Sequence, residues 1–316
     1  MLFDCTLRDG GYQNNWEFPI PLIEEYLQAM AALPIDYVEI GFRDPKLAVG
    51  CGNATDAFLR TLWVPPRLKL GVMVNASDLL KHPQGILPAL ESMFASAETS
   101  PVSLVRLACH VVEIAPVLPA LAWLKNKGYR VAMNFMQIAD RTVSEISSIA
   151  ELVSSQPLDV LYFADSLGGL DPDRTAEIIQ ALRVHWKGEM GIHTHDNRGL
   201  ALANSLRASQ EGVDWIDGTV AGMGRGPGNA KTEHLIIEFC PQTDLHGLLA
   251  LVETHFKPLL DKCRWGCNPF YHLAGKHSIH PTYVQVMLET GCSPDILKAL
   301  EQLAGSPKFD RSRLPK

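Results

Sequence analysis

The chain has 316 residues, of which 47% are hydrophobic and 20% charged, the composition of a globular protein with a large core. The formal net charge of −7 and the lack of a basic stripe argue against nucleic-acid binding, and no apolar run approaches the roughly 18 residues that a membrane-spanning helix needs. The first residues lack the pattern of a signal peptide and the seven cysteines are scattered, so we expect reduced thiols in a cytoplasmic protein that binds no membrane.

Short apolar runs recur along the chain, and a helical pattern follows each of them. Most runs are continuous rather than alternating, which is typical of parallel strands that are covered on both faces. Eight strand–helix alternations favour the α/β class and a TIM-type (β/α)₈ barrel, with an open doubly wound sheet as the alternative. The predicted strands lie at residues 2–7, 37–42, 68–74, 103–109, 130–135, 160–164, 191–195 and 215–220.

Capping residues mark the ends of several predicted helices. Thr142 and Glu145 have the spacing of a capping box. Asp171 precedes a proline and is a candidate N-cap. Gly128 and Gly212 follow helical stretches, where glycine ends a helix easily because it tolerates a left-handed backbone.

The strand–helix alternation ends at about residue 245. We predict a catalytic barrel domain at 1–244 and a C-terminal helical extension at 245–316 that packs on the barrel. Helices are predicted within the extension at 245–263, 281–289 and 294–303.

Polar and titratable side chains follow many of the predicted strands. In barrels of this type catalytic groups lie at the C-terminal ends of the strands. A few isolated charges would be ordinary loop residues, but their concentration predicts a catalytic mouth. Four of these side chains are assigned to substrate binding, namely Arg106, His110, Asn134 and Asp165.

Asp9, His193 and His195 form a candidate metal site. On a strand, an H-x-H pair directs both imidazoles to one face. A carboxylate with two imidazoles suits a divalent ion, and three protein ligands leave positions for water and substrate. The H-x-H spacing alone is a weak signal, because such pairs are also ordinary polar residues at a strand end.

Arg8 stands next to Asp9, and its guanidinium is always charged. It could hold the negative oxygen of an enolate beside a metal ion. Glu39, on the next predicted strand, is its natural counter-charge. The alternative is an ion pair with a structural role alone.

The glycine-rich run at 222–228 follows the eighth predicted strand and has two interpretations. It is either a phosphate-binding loop of the kind found after strands 7 and 8 of barrels, or a segment whose backbone approaches the metal. In the second case Asn229 would be a further oxygen ligand.

Four motifs in this order together resemble the DRE-TIM metallolyases. This superfamily includes 4-hydroxy-2-oxovalerate aldolases, hydroxymethylglutaryl-CoA lyases and the isopropylmalate and homocitrate synthases. The motifs are DCTLRDG at 4–10, VEIG at 38–41, HTHDN at 193–197 and GPGNA at 226–230. The aldolase branch is the most similar, on RLACHVVE at 106–113, GLALANS at 199–205 and IDGTVAG at 216–222, and the resemblance covers roughly residues 2–240.

The resemblance implies a barrel and a divalent metal, Mn²⁺ first, with Mg²⁺, Co²⁺ or Zn²⁺ as alternatives. Arg8 would stabilise the enolate of pyruvate, and Glu39 would orient Arg8. By matching motifs the metal ligands would be Asp9, His193, His195 and Asn229.

The chain departs from the aldolases at the position of the general base. Those enzymes have a histidine three residues after the metal aspartate, where this chain has Tyr12. A tyrosine with an ordinary pKa near 10 is a poor base unless Arg8 or the metal lowers that pKa. The loop after strand 8 also lacks the catalytic cysteine of hydroxymethylglutaryl-CoA lyases, which argues against that activity.

The extension has a histidine-rich run that includes His272, His277, His280 and Tyr283. It is similar to the histidine-containing segment that follows the barrel in the CoA-dependent synthases. His280 and Tyr283 could cover the mouth and supply the missing proton-transfer group. The alternative is a histidine-rich surface without a catalytic role.

We therefore expect a divalent-metal-dependent aldolase that cleaves or forms a 4-hydroxy-2-oxo acid from pyruvate and an aldehyde. The first alternative is an acyl-CoA-dependent, Claisen-type synthase that acts on a 2-oxo acid. The second is a partner-bound subunit that is not an enzyme in its own right. The expected partners are a small-molecule 2-oxo acid and an aldehyde, a second copy in a homodimer, and an acylating aldehyde dehydrogenase of the kind that associates with the family's aldolases.

Overall fold

A computed structural model describes residues 1–291 and 295–314. Within those residues eight parallel strands close into a barrel in chain order, so the predicted (β/α)₈ barrel is confirmed. The strands are β1 Leu2–Asp4, β2 Ile35–Phe42, β3 Lys69–Asn75, β4 Val102–His110, β5 Arg130–Met136, β6 Val160–Ala164, β7 Glu189–His193 and β8 Trp215–Gly218.

Helices surround the barrel and continue into the C-terminal extension. Those of the barrel are α1 Thr6–Asp9, α2 Ile20–Ala31, α3 Asp56–Leu59, α4 Ala76–Leu80, α5 Ile86–Met93, α6 Ile114–Asn126, α7 Val143–Ser154, α8 Pro172–Arg183, α9 Ala201–Gln210 and α10 Thr232–Phe239. Those of the extension are α11 His246–Leu251, α12 Lys257–Cys263, α13 Pro269–Lys276, α14 Pro281–Thr290 and α15 Ile296–Leu303. None of the helices in the described ranges is long and apolar enough to cross a membrane.

The predicted helix ends are confirmed. Thr142 and Glu145 form the reciprocal capping box at the start of α7. The carboxylate of Asp171 accepts the backbone N–H of Arg174 at the start of α8. Gly128 and Gly212 follow α6 and α9 with φ of 88° and 81°, the left-handed backbone that favours glycine.

Three strand ends were predicted too late in the chain. The first predicted strand, 2–7, is wrong after Asp4, because the Asp4 carboxylate accepts the backbone N–H and the hydroxyl of Thr6 and turns the chain into α1. The strand predicted at 215–220 ends at Gly218. The strand predicted at 191–195 ends at His193, so His195 lies beyond it.

The barrel interior below the predicted mouth is filled by aromatic side chains. The rings of Phe3 and Trp215 lie 5.9 Å apart, and those of Tyr37 and Trp215 lie 5.2 Å apart. Phe3, Tyr162 and Trp215 are almost completely buried. This layer closes the lower half of the barrel, so polar side chains are gathered at its C-terminal end.

The extension has an apolar cluster of its own that includes Tyr271, Ile279 and Tyr283. Gln137 on the barrel donates to the backbone oxygen of Pro307 at 2.7 Å. The segment after α15 therefore lies against the mouth of the barrel. The stretch predicted as a helix at 245–263 is α11 and α12 joined by a π-helical turn, and Pro294 of the helix predicted at 294–303 lies outside the described residues.

Candidate active site and metal centre

One cavity opens at the C-terminal ends of the strands, as predicted for this fold. Eight of the predicted site residues line it: Arg8, Asp9, Tyr12, His110, Asn134, His193, His195 and His280. Four further polar residues that the sequence analysis did not assign to the site also line it: Asn75, Gln137, Ser166 and Arg225.

Asp9, His193 and His195 converge although they come from the two ends of the barrel sequence. Asp9 ends α1, directly after β1, and closure of the barrel brings this end close to β7. The Nε2 atoms of His193 and His195 lie 3.9 and 4.0 Å from Asp9 Oδ2. Those separations are too long for hydrogen bonds, but two bonds of about 2.1 Å to a shared metal ion could span them.

Hydrogen bonds at Nδ1 orient both imidazoles. His193 Nδ1 lies 2.9 Å from a carboxylate oxygen of Asp217, and His195 Nδ1 lies 2.8 Å from the backbone oxygen of Asp165. Both oxygens are acceptors, so in the neutral rings Nδ1 carries the proton and Nε2 presents its lone pair to Asp9. Burial, with the charge of His193 second, lowers the pKa of His195 to about 3.

The buried Nε2 of His193 has no hydrogen-bond partner among the described residues. A buried polar atom without a partner is costly unless something binds it. Two imidazoles beside an ionised carboxylate are also the donor set that divalent transition metals and zinc accept. The residues present therefore fit a divalent metal ion.

The carboxylate of Asp9 is held ionised. Burial alone would raise its pKa, but the adjacent Arg8 guanidinium, together with His193 and His195, holds the pKa well below its usual range. Arg8 Nη1 donates to Oδ1. Asn229 donates from its side-chain amide to Oδ2 at 2.5 Å, so this amide presents nitrogen rather than oxygen to Asp9. A ligand role for Asn229 requires its amide to rotate.

A buried chain of charges connects Arg8 to His193. Glu39 accepts from Arg8 Nε at 2.6 Å and from both Nε and Nη2 of Arg106, at 2.9 and 2.5 Å. Arg106 Nη1 donates to Asp217 at 2.6 Å, and the same Asp217 oxygen pairs with His193. The chain therefore runs in the order Arg8, Glu39, Arg106, Asp217, His193.

Arg106 does not reach the cavity. Its side chain is completely buried, and its guanidinium lies 4.8 Å from the ring centre of Phe3 and 4.7 Å from that of Tyr162. Arg106 therefore lies beneath the site and stabilises Glu39 and Asp217, the two carboxylates that contact Arg8 and His193. The substrate-binding role predicted for it is not supported by this placement.

Two other predicted residues also lie away from the cavity surface. The carboxylate of Asp165 accepts the backbone N–H of Leu170 at 3.2 Å, and burial raises its pKa to about 7. Tyr283 is buried in the extension, where its hydroxyl donates to the backbone oxygen of Lys308 at 3.1 Å. Its predicted catalytic contact with substrate is not supported, because it faces the extension's own core.

The cavity contains three candidates for proton transfer. Desolvation raises the pKa of Tyr12, whose ring lies 4.9 Å from that of Trp16. Burial lowers the pKa of His110, and burial with the charge of Arg225 lowers the pKa of His280 to about 3. Both imidazoles are therefore neutral at pH 7, whereas the raised pKa of Tyr12 leaves even less phenolate at that pH than an ordinary phenol has.

Asn134 agrees best with a substrate-binding role. It lies on β5 and lines the cavity, and its buried Oδ1 has no hydrogen-bond partner among the described residues. Such an oxygen is available to a donor on a bound molecule.

The residues that sequence analysis missed gave weak signals or none. Asp217 lies within a motif used for the family resemblance, but a strand aspartate has no distinguishing pattern. Arg225 lies within the glycine-rich run at 222–228, which was interpreted for its backbone rather than for its side chains. Asn75, Gln137 and Ser166 are small polar residues at or after strand ends, and only the closed barrel shows that they face the same cavity.

Comparisons with known proteins agree with this geometry. A family model described as HMGL-like matches residues 95–255. The chain is 29% identical over 269 residues to 4-hydroxy-2-oxovalerate aldolase from Brevibacillus brevis, covering 82% of this chain and 77% of that protein. It is 30% identical over 269 residues to the enzyme of the same name from Geobacillus thermodenitrificans, covering 81% of this chain and 75% of that protein.

Solved structures share the fold. The N-terminal domain of a Bacteroides vulgatus protein provisionally described as an aldolase has a TM-score of 0.78 and 30% identity, covering 91% of this chain and 96% of that one. Hydroxymethylglutaryl-CoA lyase from Pseudomonas aeruginosa has a TM-score of 0.63 at 19% identity, covering 83% and 97%. The second likeness supports the fold alone.

Proposed function

The chain belongs to the HMGL-like family, and from this premise we propose that it is a divalent-metal-dependent aldolase. It would cleave a 4-hydroxy-2-oxo acid to pyruvate and an aldehyde, or form the acid from them. The observation that carries the proposal is the convergence of Asp9, His193 and His195 on one point of the cavity. The names of the aldolase relatives supply the reaction type.

We propose Asp9, His193 and His195 as the metal ligands, with Mn²⁺ as the ion. The bound ion would polarise the ketone of the 2-oxo acid as a Lewis acid. Asp217 and the backbone oxygen of Asp165 would hold the two imidazoles in the tautomer that ligation requires.

Arg8 is suited to stabilise the enolate oxygen of pyruvate. Two of its nitrogens donate to Glu39 and Asp9, while its buried Nη2 has no partner among the described residues. Because the acids fix the guanidinium, the free N–H donors are already oriented before negative charge develops on the substrate.

Proton transfer at the 4-hydroxyl is assigned to an imidazole rather than to Tyr12. His110 and His280 line the cavity and are neutral at pH 7, so either can accept a proton. Tyr12, with a raised pKa, would be a hydrogen-bond donor to the substrate. Replacing each histidine by asparagine and Tyr12 by phenylalanine separates these roles, because loss of the proton-transfer group lowers kcat more than it raises KM.

A Claisen-type synthase is the second candidate, and one observation favours it. The extension places His280 in the mouth of the barrel, in agreement with the similarity to the histidine segment of the CoA-dependent synthases. The substrates in either case are small molecules. The homodimer and the contact with an acylating aldehyde dehydrogenase stay predictions.

The test is an assay of the purified chain with and without metal. After treatment with a chelator, Mn²⁺ should restore the release of pyruvate from 4-hydroxy-2-oxo acids, and Asp9→Asn should abolish both metal binding and activity. Pyruvate release that survives in metal-free protein would refute the proposal. Thiol release from acetyl-CoA with a panel of 2-oxo acids, without pyruvate release, would favour the synthase instead.

A further inference from the structure

Arg225 is a cation in the cavity that lacks a counter-charge. It lies in the loop after β8 and lines the same cavity as Asp9 and His280. It has no ion pair with the described residues, and its buried Nε has no hydrogen-bond partner among them. Its guanidinium makes a cation–π contact with Tyr12, whose ring centre lies 5.6 Å from the guanidinium carbon.

The other arginine of the cavity lining is in the opposite situation. Arg8 is paired with Asp9 and Glu39, and Arg106 below it is paired with Glu39 and Asp217. Asp9 is the one carboxylate that lines the cavity within the described part of the chain. No acidic side chain of the lining is therefore left to balance Arg225.

A count of the charges in the proposed complex with metal and substrate also leaves Arg225 without a counter-charge. The three carboxylates of Asp9, Glu39 and Asp217 exceed the two guanidiniums of Arg8 and Arg106 by one negative charge. A divalent cation together with the carboxylate of a 2-oxo acid supplies one net positive charge, so this inner group is neutral. The charge of Arg225 is then left over, and a second anionic group on the substrate would balance it.

The position of Arg225 indicates which end of the substrate it meets. Its guanidinium lies over the ring of Tyr12, which we assign as a hydrogen-bond donor to the substrate. Both residues line the cavity together with His280, which we assign with His110 to proton transfer at the 4-hydroxyl. The 2-oxo acid end is held at the ligands and Arg8. Arg225 is thus on the side of the carbon chain that becomes the aldehyde.

We propose that Arg225 recognises a carboxylate or phosphate on the aldehyde part of the substrate. Guanidinium binds either anion through paired, charge-assisted hydrogen bonds, and the tyrosine ring below it restricts its orientation. The proposal rests on the proposed aldolase function and deepens it. The acceptor would be an anionic aldehyde rather than a simple alkyl aldehyde.

The test runs the reaction in the direction of aldol addition, with pyruvate and matched pairs of aldehydes. Succinic semialdehyde against butanal tests the carboxylate, and glyceraldehyde 3-phosphate against glyceraldehyde tests the phosphate. The wild type should prefer one anionic member by about tenfold to hundredfold in kcat/KM. Arg225→Gln should lower kcat/KM for the preferred anionic aldehyde at least tenfold more than for its neutral counterpart, while Arg225→Lys should retain part of the preference.

Lys187→Gln is the control for a general charge effect. Lys187 is exposed in the loop before β7, at the opposite end of the barrel, and its loss should leave the preference unchanged. Equal rates with anionic and neutral aldehydes in the wild type would overturn the inference but not the aldolase function. So would an Arg225→Gln variant whose main change is a higher KM for pyruvate.

A binding measurement separates the two proposals further. The indole of Trp16 packs on Tyr12, so its fluorescence should respond to a ligand beside Arg225. Succinate and glycerol 3-phosphate are titrated into Mn²⁺-treated protein with pyruvate present, with glycerol as the neutral probe. Anion binding that weakens at least tenfold in Arg225→Gln supports the anion site even if no aldehyde reacts. The lack of any aldehyde reaction would then refute the aldolase function but not the anion site. No Arg225-dependent anion binding overturns the site.

Discussion

His193 Nδ1 and the carboxylate of Asp217 lie 2.9 Å apart, and this contact joins a proposed metal ligand to the buried charges below the cavity. Asp217 Oδ2 also accepts a hydrogen bond from Arg106. Arg106 therefore fixes the carboxylate that in turn orients the imidazole of His193. A histidine ligand supported in this way has one tautomer and one ring orientation.

Asp217→Asn should therefore weaken metal binding. The amide keeps the size of the side chain but replaces the charge that stabilises the Nδ1 proton, and we expect Mn²⁺ affinity to fall by about tenfold to hundredfold. Isothermal titration of the chelator-treated protein measures this. Asp244→Asn, at a carboxylate exposed in the loop before α11, should bind Mn²⁺ as the wild type does. Equal affinities in the two variants would contradict the support role.

Arg106→Met should destabilise the fold strongly. It leaves the buried carboxylates of Glu39 and Asp217 without their shared partner, and removing one member of a buried ion pair costs about 3–5 kcal/mol. Urea unfolding of metal-free protein measures the loss. Arg130→Gln breaks the more exposed pair with Glu189, for which we expect about 1 kcal/mol or less. Losses of similar size would show that Arg106 is no more important than a surface arginine.

The sequence motifs predicted the metal triad but not its support. Asp9, His193 and His195 stand in short motifs next to strand ends, and the fold brings strand ends together. Asp217 lies inside β8 and becomes recognisable only when β8 pairs with β7 and places its carboxylate beside His193. Pattern reasoning about single segments does not include such contacts between strands.

Contacts that a single segment does not reveal also explain why the placement of Arg106 and the end of the first strand were predicted wrongly. A polar residue after or near a strand end was taken to face the mouth, but Arg106 points into the barrel, where the aromatic layer and two acids hold it. β1 ends early because the Asp4 carboxylate accepts the backbone N–H of Thr6. A side-chain hydrogen bond therefore determines where this strand ends, and the hydrophobic pattern contains no sign of it.

Gly224→Ala should impair the site through a single added methyl group. A Cβ at this position would lie 2.2 Å from the amide nitrogen of Asn229 and 2.7 Å from Asp9 Oδ2, so these two side chains would have to move. We expect Mn²⁺ affinity and kcat each to fall at least tenfold, because a ligand displaced by about 1 Å loses its bonding geometry. Titration and the pyruvate assay measure the two effects.

Gly247→Ala is the matched control. A Cβ at Gly247 would meet no atom within 4 Å, and the residue lies in α11, where alanine is the better helix former. This variant should bind metal as the wild type does and unfold at an equal or slightly higher urea concentration. A Gly224→Ala protein that behaves in the same way would contradict the close approach.

Acid should weaken the fold partly through His280. Burial, with the charges of Arg225 and His195, lowers the pKa of His280 to about 3, whereas the unfolded chain has an ordinary histidine pKa near 6.5. Between pH 6.5 and pH 3 the unfolded chain therefore binds a proton that the folded protein does not. The contribution to the free energy of unfolding is complete above pH 6.5 and falls with decreasing pH by at most about 1.4 kcal/mol per pH unit.

His280→Asn should therefore lose less stability than the wild type between pH 7.5 and pH 5.0, as measured by urea unfolding. His272→Asn replaces an exposed histidine of α13 and should follow the wild-type curve. If His280→Asn has the wild-type slope, the His280 ring is protonated as readily in the folded protein as in the unfolded chain, and its role as a neutral proton acceptor at pH 7 loses its support.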